Sequence, residues 1–143
     1  MEKTDILFKL QGIKTEQFAI LEDVFADGDS VQLESSYRFG ANANEKIVVE
    51  LLNYKFKTEK GAFLIIEVSC MFGIKPESWS QIYNADKSEL TLPKSIATHL
   101  LVLGVGTVRG VLHAKTENTR YNKFMLPTLD VSGSIKENVT IKI

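Results

Sequence analysis

The chain contains few of the residue types that often indicate a disulfide, a metal site or a catalytic site. Its 143 residues include one cysteine, three prolines, one tryptophan and two histidines. The single cysteine, Cys70, excludes an intrachain disulfide and is typical of a reducing compartment. His99 and His113 lie about four helical turns apart, whereas a metal ion needs three or four ligands close together. The sequence therefore predicts neither a metal site nor a bound cofactor.

Charge of one sign and long apolar runs are also scarce. The formal net charge is -1, so there is no basic surplus to neutralise phosphates, and we predict no nucleic-acid partner. No apolar run approaches the roughly 20 residues that cross a bilayer, so we predict no membrane insertion. The first ten residues lack the long apolar core of a signal peptide. These features predict a cytoplasmic protein.

What the chain does contain is an ordinary apolar fraction and clear alternation. Hydrophobic residues make up 44% of the sequence, which suits one domain, residues 1–143, with one core. Alternating apolar and polar residues predict strands, and a long helical pattern follows them. A run of strands before a helix indicates an α+β fold with an antiparallel sheet. The predicted strands are Thr4–Ile13, Val31–Phe39, Ile47–Lys57 and Ala62–Phe72.

The fourth predicted strand is apolar on both faces. A strand of this kind needs cover on both sides, and one helix covers only one of them. The other face must meet a second copy, another segment or a client, and we expect it to mediate self-association. The residues predicted to form this oligomer interface are Ile47, Val49, Phe63, Ile65 and Met71.

The stretch that begins at Leu92 predicts the long helix. Pro93 suits a first helical turn, where its missing N–H would have no partner. Three glycines interrupt the helix, and we expect them to serve close packing against a sheet or another helix. The predicted apolar stripe consists of Ile96, Leu100, Leu103, Val108, Val111 and Leu112.

Three segments are less clearly specified. Residues 16–25 fit either a short helix or an extended arm. Residues 74–90 form a long connection in which Glu77 or Ser78 opens a helical turn that carries Trp79. Residues 133–143 end in alternation typical of a C-terminal strand or arm.

The order of these elements, together with three stretches, resembles the SecB-like family of bacterial export chaperones and their solitary relatives. The stretches are FKLQGI from Phe8, GAFLIIEV from Gly61 and VRGVLHAKTENTRYNKFMLPTLDV from Val108. Arg109 and Pro127 fall on positions of the family pattern. The chain departs from that pattern at Val105–Val108, where the family has an aromatic-proline-tyrosine step, and it lacks the family's acidic surplus.

The resemblance implies a four-stranded antiparallel sheet, a crossover loop and a long helix. It also implies a homodimer or homotetramer. The implied function is ATP-independent binding of non-native polypeptide in an apolar groove, linked to protein export through SecA. The alternative within the family is a binding module for one dedicated partner, such as an antitoxin. We therefore predict a client-binding groove at Phe72, Ile74, Trp79, Ile82, Tyr83 and Leu100.

Individual residues allow plainer interpretations. Trp79 is either a groove wall or part of a lid folded on its own core. Glu67 is either a partner-contact acid, as the resemblance implies, or a solvated or ion-paired edge residue. Cys70 lies on a continuous apolar face, which favours a buried structural thiol over a nucleophile. Because no catalytic constellation emerges, we predict that the protein is not an enzyme.

Overall fold

A computed structural model describes residues 5–127 and 131–143 of the chain, and it has the expected α+β architecture. Four antiparallel strands form the main sheet in the order β1-β4-β3-β2, and a long helix packs on one face. We call the helix side of this sheet its inner face and the opposite side its outer face. The strands are β1 (Phe8–Ile20), β2 (Gln32–Asn42), β3 (Ile47–Thr58) and β4 (Gly61–Ile74).

The first strand is longer than the sequence pattern indicates. β1 pairs with β4 from Phe8↔Ile74 to Ile20↔Leu64, with irregular register around Gln11 and Glu16. Each irregularity shifts the two-residue alternation by one position, which hides the second half of the strand from a pattern search. The ambiguous segment 16–25 is therefore strand up to Ile20 and turn thereafter.

The β3–β4 hairpin turns sharply at Gly61. Its φ angle of 128° lies in the region that residues with a side chain rarely adopt, so glycine suits this position. The register then runs from Thr58↔Gly61 to Ile47↔Gly73. Along β3, alternate residues from Val48 to Phe56 are buried, as expected when one face carries the helix.

The connection after β4 contains more structure than one helical turn. It forms α1 (Pro76–Ile82), β5 (Tyr83–Asn84) and β6 (Glu89–Leu92). The C-terminal segment returns as β7 (Val139–Lys142) and pairs antiparallel with β6. These three strands make a small second sheet in the order β5-β6-β7.

The long helix, α2, spans Lys94–Thr116. Its first backbone N–H donates to Asn138 Oδ1 at 2.9 Å, so the returning segment caps it. Within the described residues, α2 is the helix long and apolar enough to cross a membrane by length and composition, although its inner side is buried in this chain. The buried side consists of Ala97, Leu100, Leu101, Gly104, Val105, Val108, Leu112 and Thr116.

One expectation about α2 was wrong, and another holds for only one residue. Leu103 does not belong to the buried stripe, because it is 38% exposed and lies to one side of the buried residues. Gly104 packs closely on the sheet as expected, but a Cβ at Gly106 or Gly110 would meet no described atom within 4 Å. Successive residues of a helix point about 100° apart. Leu103 therefore cannot face the sheet in the same direction as its neighbour Gly104.

One end of the core is an aromatic cluster, which corrects another expectation. Phe63 is fully buried and stacks on Phe25 with ring centroids 4.7 Å apart, and Tyr121 and Phe124 close the cluster. The register shifts where Phe56↔Leu64 gives way to Lys57↔Ala62, leaving Phe63 between the pairs and outside the regular alternation. Phe63 is therefore a core residue in this chain and cannot serve as an exposed interface residue.

Two short 3₁₀ helices, Arg120–Lys123 and Val131–Gly133, lie in the segment that follows α2.

Candidate functional site

The predicted client groove is largely core. Phe72 and Leu100 are fully buried, and Ile74 and Trp79 are nearly so. α2 covers Phe72, and Leu100 lies on the buried side of α2 itself. Trp79 packs against Tyr83 with ring centroids 5.5 Å apart. Of the two interpretations of Trp79, the structure shows a residue folded onto its own core. These four side chains are unavailable to a client in this conformation.

Ile82 and Tyr83 do border a depression. It has a volume of about 600 Å³ and lies between the end of α1 and the small sheet. Most of its other lining residues are polar, so it lacks the continuous apolar wall expected of a groove for extended chains. Its full lining is Gln81, Ile82, Tyr83, Asn84, Ala85, Asp86, Thr91 and Pro93.

The outer face of the main sheet combines apolar and charged residues. Ile47, Val49, Ile65 and Met71 are half-buried there. At the centre, Ser69 Oγ donates to Glu16 Oε2 at 2.8 Å, and Asn53 Nδ2 donates to Glu67 Oε2 at 3.0 Å. Glu67 is therefore hydrogen-bonded within the sheet, and it lines a depression of about 430 Å³ together with Glu16 and Arg38.

An exposed apolar strip that the sequence analysis missed runs between β1 and α2. Leu10 is 40% exposed and Ile13 is 50% exposed. They pair with Phe72 and Cys70 of β4, and directly paired residues project to the same face. Leu10 and Ile13 therefore lie on the inner face but beyond the cover of α2.

The neighbouring side of α2 completes this strip. Near its start, the His99 ring lies 5.3 Å from Phe8, and near its end Lys115 Nζ lies 6.0 Å from the Phe18 ring. Leu103 is one turn after His99 and so faces the same side of the helix. We define the β1–α2 strip as Phe8, Leu10, Ile13, Phe18 and Leu103. The two irregularities of β1 hid the strip from a pattern search. The first moves Ile13 out of simple alternation with Leu10, and the second moves Phe18 out of alternation with Ile13.

The strip lies beside an open strand edge. In the part of the chain that the structure describes, β1 pairs with β4 on one side and has no strand on the other. Such an edge presents backbone N–H and C=O groups to any extended chain. Apolar side chains and free backbone groups therefore occur together along β1.

Arg109 and Pro127, which the family resemblance singles out, are in contact. Arg109 Nη2 donates to the Pro127 carbonyl oxygen at 2.9 Å, and Nε donates to that of Leu126 at 3.3 Å. Arg109 thus ties α2 to the segment that follows it. Charged donors of this kind hold a backbone segment more firmly than neutral ones, so the contact has a structural role.

The sequence analysis also passed over Glu50. It lies on the inner face of β3 between the buried side chains of Val48 and Leu52, and it is itself fully buried. Burial raises the pKa of its carboxyl to about 8. Burial likewise raises the pKa of the neighbouring Cys70 thiol to about 11, which leaves that thiol protonated and unreactive at neutral pH. The sequence contained a sign of this residue, because Glu50 is the one acid among the alternating apolar residues Val48, Leu52, Tyr54 and Phe56.

No group of three or more His, Cys, Asp or Glu side chains suited to a metal ion occurs within residues 5–127 and 131–143.

A scan against protein-family models finds no match, and searches of curated proteins and of solved structures find no similar protein. The α+β fold is therefore established by the structure itself. The SecB-like resemblance stays a prediction carried by the sequence pattern.

Proposed function

We propose that this protein binds non-native polypeptide without ATP, as a holding chaperone does, and that the client lies along the β1–α2 strip. The observation that carries the proposal is the coincidence of exposed Leu10, Ile13 and Leu103 with the open edge of β1. A strand edge pairs with backbone rather than with particular side chains, so it accepts many sequences. The proposal includes a cytoplasmic location and no enzymatic activity.

The binding free energy expected from the exposed side chains of the strip suits reversible binding of a client. Complete burial of a Leu or Ile side chain contributes roughly 1.5–3 kcal/mol, so covering a half-exposed one contributes about 1 kcal/mol. Three such side chains give about 3 kcal/mol, which is weaker than a millimolar dissociation constant. Backbone pairing along β1 and the use of several copies must add the remainder. Weak contacts of this kind release a client without an energy source.

The decisive experiment pairs two lysine substitutions on α2. Leu103→Lys places a charge in the strip, whereas Val102→Lys places one at a position that is 50% exposed and lies about 100° around the helix from Leu103. Light scattering then follows the aggregation of several unrelated denatured proteins without ATP. We expect the wild type and Val102→Lys to suppress aggregation, and Leu103→Lys to require several-fold more protein. Equal suppression by both variants would contradict a client site in the strip.

Self-association is part of the proposal. The four half-buried apolar residues of the outer face, Ile47, Val49, Ile65 and Met71, form the contact that we propose for a second copy in a homodimer or homotetramer. Gel filtration with light scattering tests this contact. Met71→Lys should yield a smaller species than the wild type, and a wild-type monomer would remove the proposed interface.

A second candidate function, a dedicated binding module, is favoured by the outer-face depression. Glu16, Arg38 and Glu67 offer charges of both signs, which suit one matched partner better than many unfolded ones. Under this alternative the partner is one folded protein, such as an antitoxin, contacted through Glu67. In that case, Glu67→Gln weakens binding of the partner and Leu103→Lys leaves that binding unchanged. The protein then does not suppress the aggregation of unrelated denatured proteins.

A further inference from the structure

Glu50 is an acid enclosed between the main sheet and α2. On β3 it lies opposite Phe39 of β2 and Cys70 of β4. Its exposed fraction is 0%, and among the described residues neither carboxyl oxygen has a hydrogen-bond partner. A buried acid with no partner is rare in folded proteins, because the charged form loses its hydration without compensation.

The carboxyl occupies space that α2 leaves for it. Directly above lies Gly104, and a Cβ built there would come within 2.8 Å of Glu50 Cδ and would contact Oε2 more closely still. Neighbouring strands enclose Glu50 laterally and α2 covers it from above. Water therefore reaches this carboxyl only when α2 moves away from the sheet.

The groups that face Glu50 do not neutralise a negative charge. Tyr54, four residues along β3, and Cys70 both have their pKa values raised by burial and by the proximity of Glu50. Thr107 of α2 is uncharged, and its hydroxyl donates to the Leu103 carbonyl oxygen. The Arg109 guanidinium donates to the Leu126 and Pro127 carbonyl oxygens. The carboxyl must therefore be neutral for α2 to dock.

We propose that Glu50 is a proton-linked latch that holds α2 on the main sheet while it carries a proton and loosens α2 when it ionises. Docking retains the proton, whereas a hydrated Glu50 beneath a lifted helix gives it up at neutral pH. By linkage, the ratio of docked to lifted helix falls about tenfold for each pH unit over which only the docked form is protonated. The effect of burial on the Glu50 pKa, raised to about 8, places the upper limit of this window in the mildly alkaline range.

The latch has consequences beyond the proposed function and does not depend on it. Movement of α2 would uncover the inner faces of β3 and β4, including Leu52, Val68 and Phe72, which are fully buried when the helix is docked. The apolar surface available to other molecules would therefore rise with pH. This surface differs from the β1–α2 strip, which is exposed with α2 in place.

Two measurements on the full-length protein test the latch. The first is an NMR titration of the Glu50 side-chain carboxyl carbon, which should report a protonated acid at neutral pH that ionises near pH 8. The second is hydrogen exchange of α2 amides in the wild type and in Glu50→Gln, compared at each pH so that intrinsic exchange cancels. We expect the relative protection of the wild-type helix to fall about tenfold per pH unit between about pH 6 and pH 8.

Glu67→Gln is the matched control, because Glu67 lies on the outer face of the same sheet and has a hydrogen-bond partner. Its α2 protection should follow the wild type at every pH. If Glu50→Gln does not fold, Glu50→Met, which fills the same space without a titratable group, takes its place. The proposal is overturned if the Glu50 carboxyl titrates in the ordinary range of about 4–5, or if α2 protection has the same pH dependence in the wild type and in the folded Glu50 variant.

Discussion

The carboxyl group of Glu50 and the backbone of Gly104 lie against each other across the interface between the main sheet and α2. The same position is close to Leu52, whose Cδ1 would lie 2.9 Å from a Cβ at position 104. Both neighbours are fully buried side chains on β3. This contact explains why α2 has a glycine in the middle of its buried side, where glycine weakens a helix.

Gly104→Ala should therefore destabilise the protein, although alanine favours helix. We expect a net loss of about 1–3 kcal/mol in the free energy of unfolding, because the added methyl group overpacks the interface. Urea denaturation provides the measurement. Gly110→Ala is the control: a Cβ at position 110 meets no described atom within 4 Å, so it should stabilise by about 0.5–1 kcal/mol. If Gly104→Ala stabilises the protein instead, the interface between α2 and the main sheet has room for a Cβ at position 104.

The stability of the wild type should decline from mildly acidic to mildly alkaline pH through Glu50. The folded state holds the proton up to about pH 8, whereas the unfolded carboxyl has the ordinary value of 4.5. Between these values the unfolded state binds fewer protons, so ionisation favours unfolding by about 1.4 kcal/mol per pH unit. Below pH 4.5 the stabilisation is complete, and above pH 8 it is lost.

Chemical denaturation of the wild type and Glu50→Met at several pH values isolates this contribution. The difference between their free energies of unfolding should widen in favour of Glu50→Met as pH rises, because replacement of a buried acid by an apolar residue removes the ionisation penalty. A difference that stays constant with pH would show that Glu50 is hydrated in the folded protein.

Phe63→Ala should cost far more stability than Met71→Ala. Phe63 is fully buried in the aromatic cluster, so we expect a loss of about 3–5 kcal/mol. Met71 is half-buried on the outer face of the single chain, so its truncation should cost about 1 kcal/mol. Thermal and urea unfolding at low protein concentration distinguish the two. Similar losses from both would mean that Phe63 packs at a surface.

The Cys70 thiol should resist labelling in the folded protein. It is fully buried, and burial raises its pKa to about 11. Only the thiolate reacts quickly, so a thiol reagent at neutral pH should modify Cys70 only as fast as α2 lifts from the sheet or the chain unfolds. The same reagent in concentrated urea is the control and should react at once. Fast labelling without denaturant would mean that α2 leaves β4 exposed for much of the time.

Periodicity was enough to predict the fold class, and it failed where the register shifts. Alternation in the region of β3 and β4 predicted both strands almost in full, because regular pairing keeps one face buried. It lost the second half of β1 and misplaced Phe63, since each is associated with a change of register. The four buried members of the predicted client set were recognised as apolar, but sequence hydrophobicity does not distinguish a groove wall from a core residue.

The sequence by itself determined the class of this protein: an α+β domain with one thiol, little net charge, and strands followed by one long apolar helix. Local preferences and alternation are properties of neighbouring residues, so the chain displays them without its fold. Only the tertiary structure decided which apolar residues stay exposed and that Glu50 is sealed beneath Gly104. Burial depends on residues distant in the chain, and the position of α2 across the sheet decides which of them meet water.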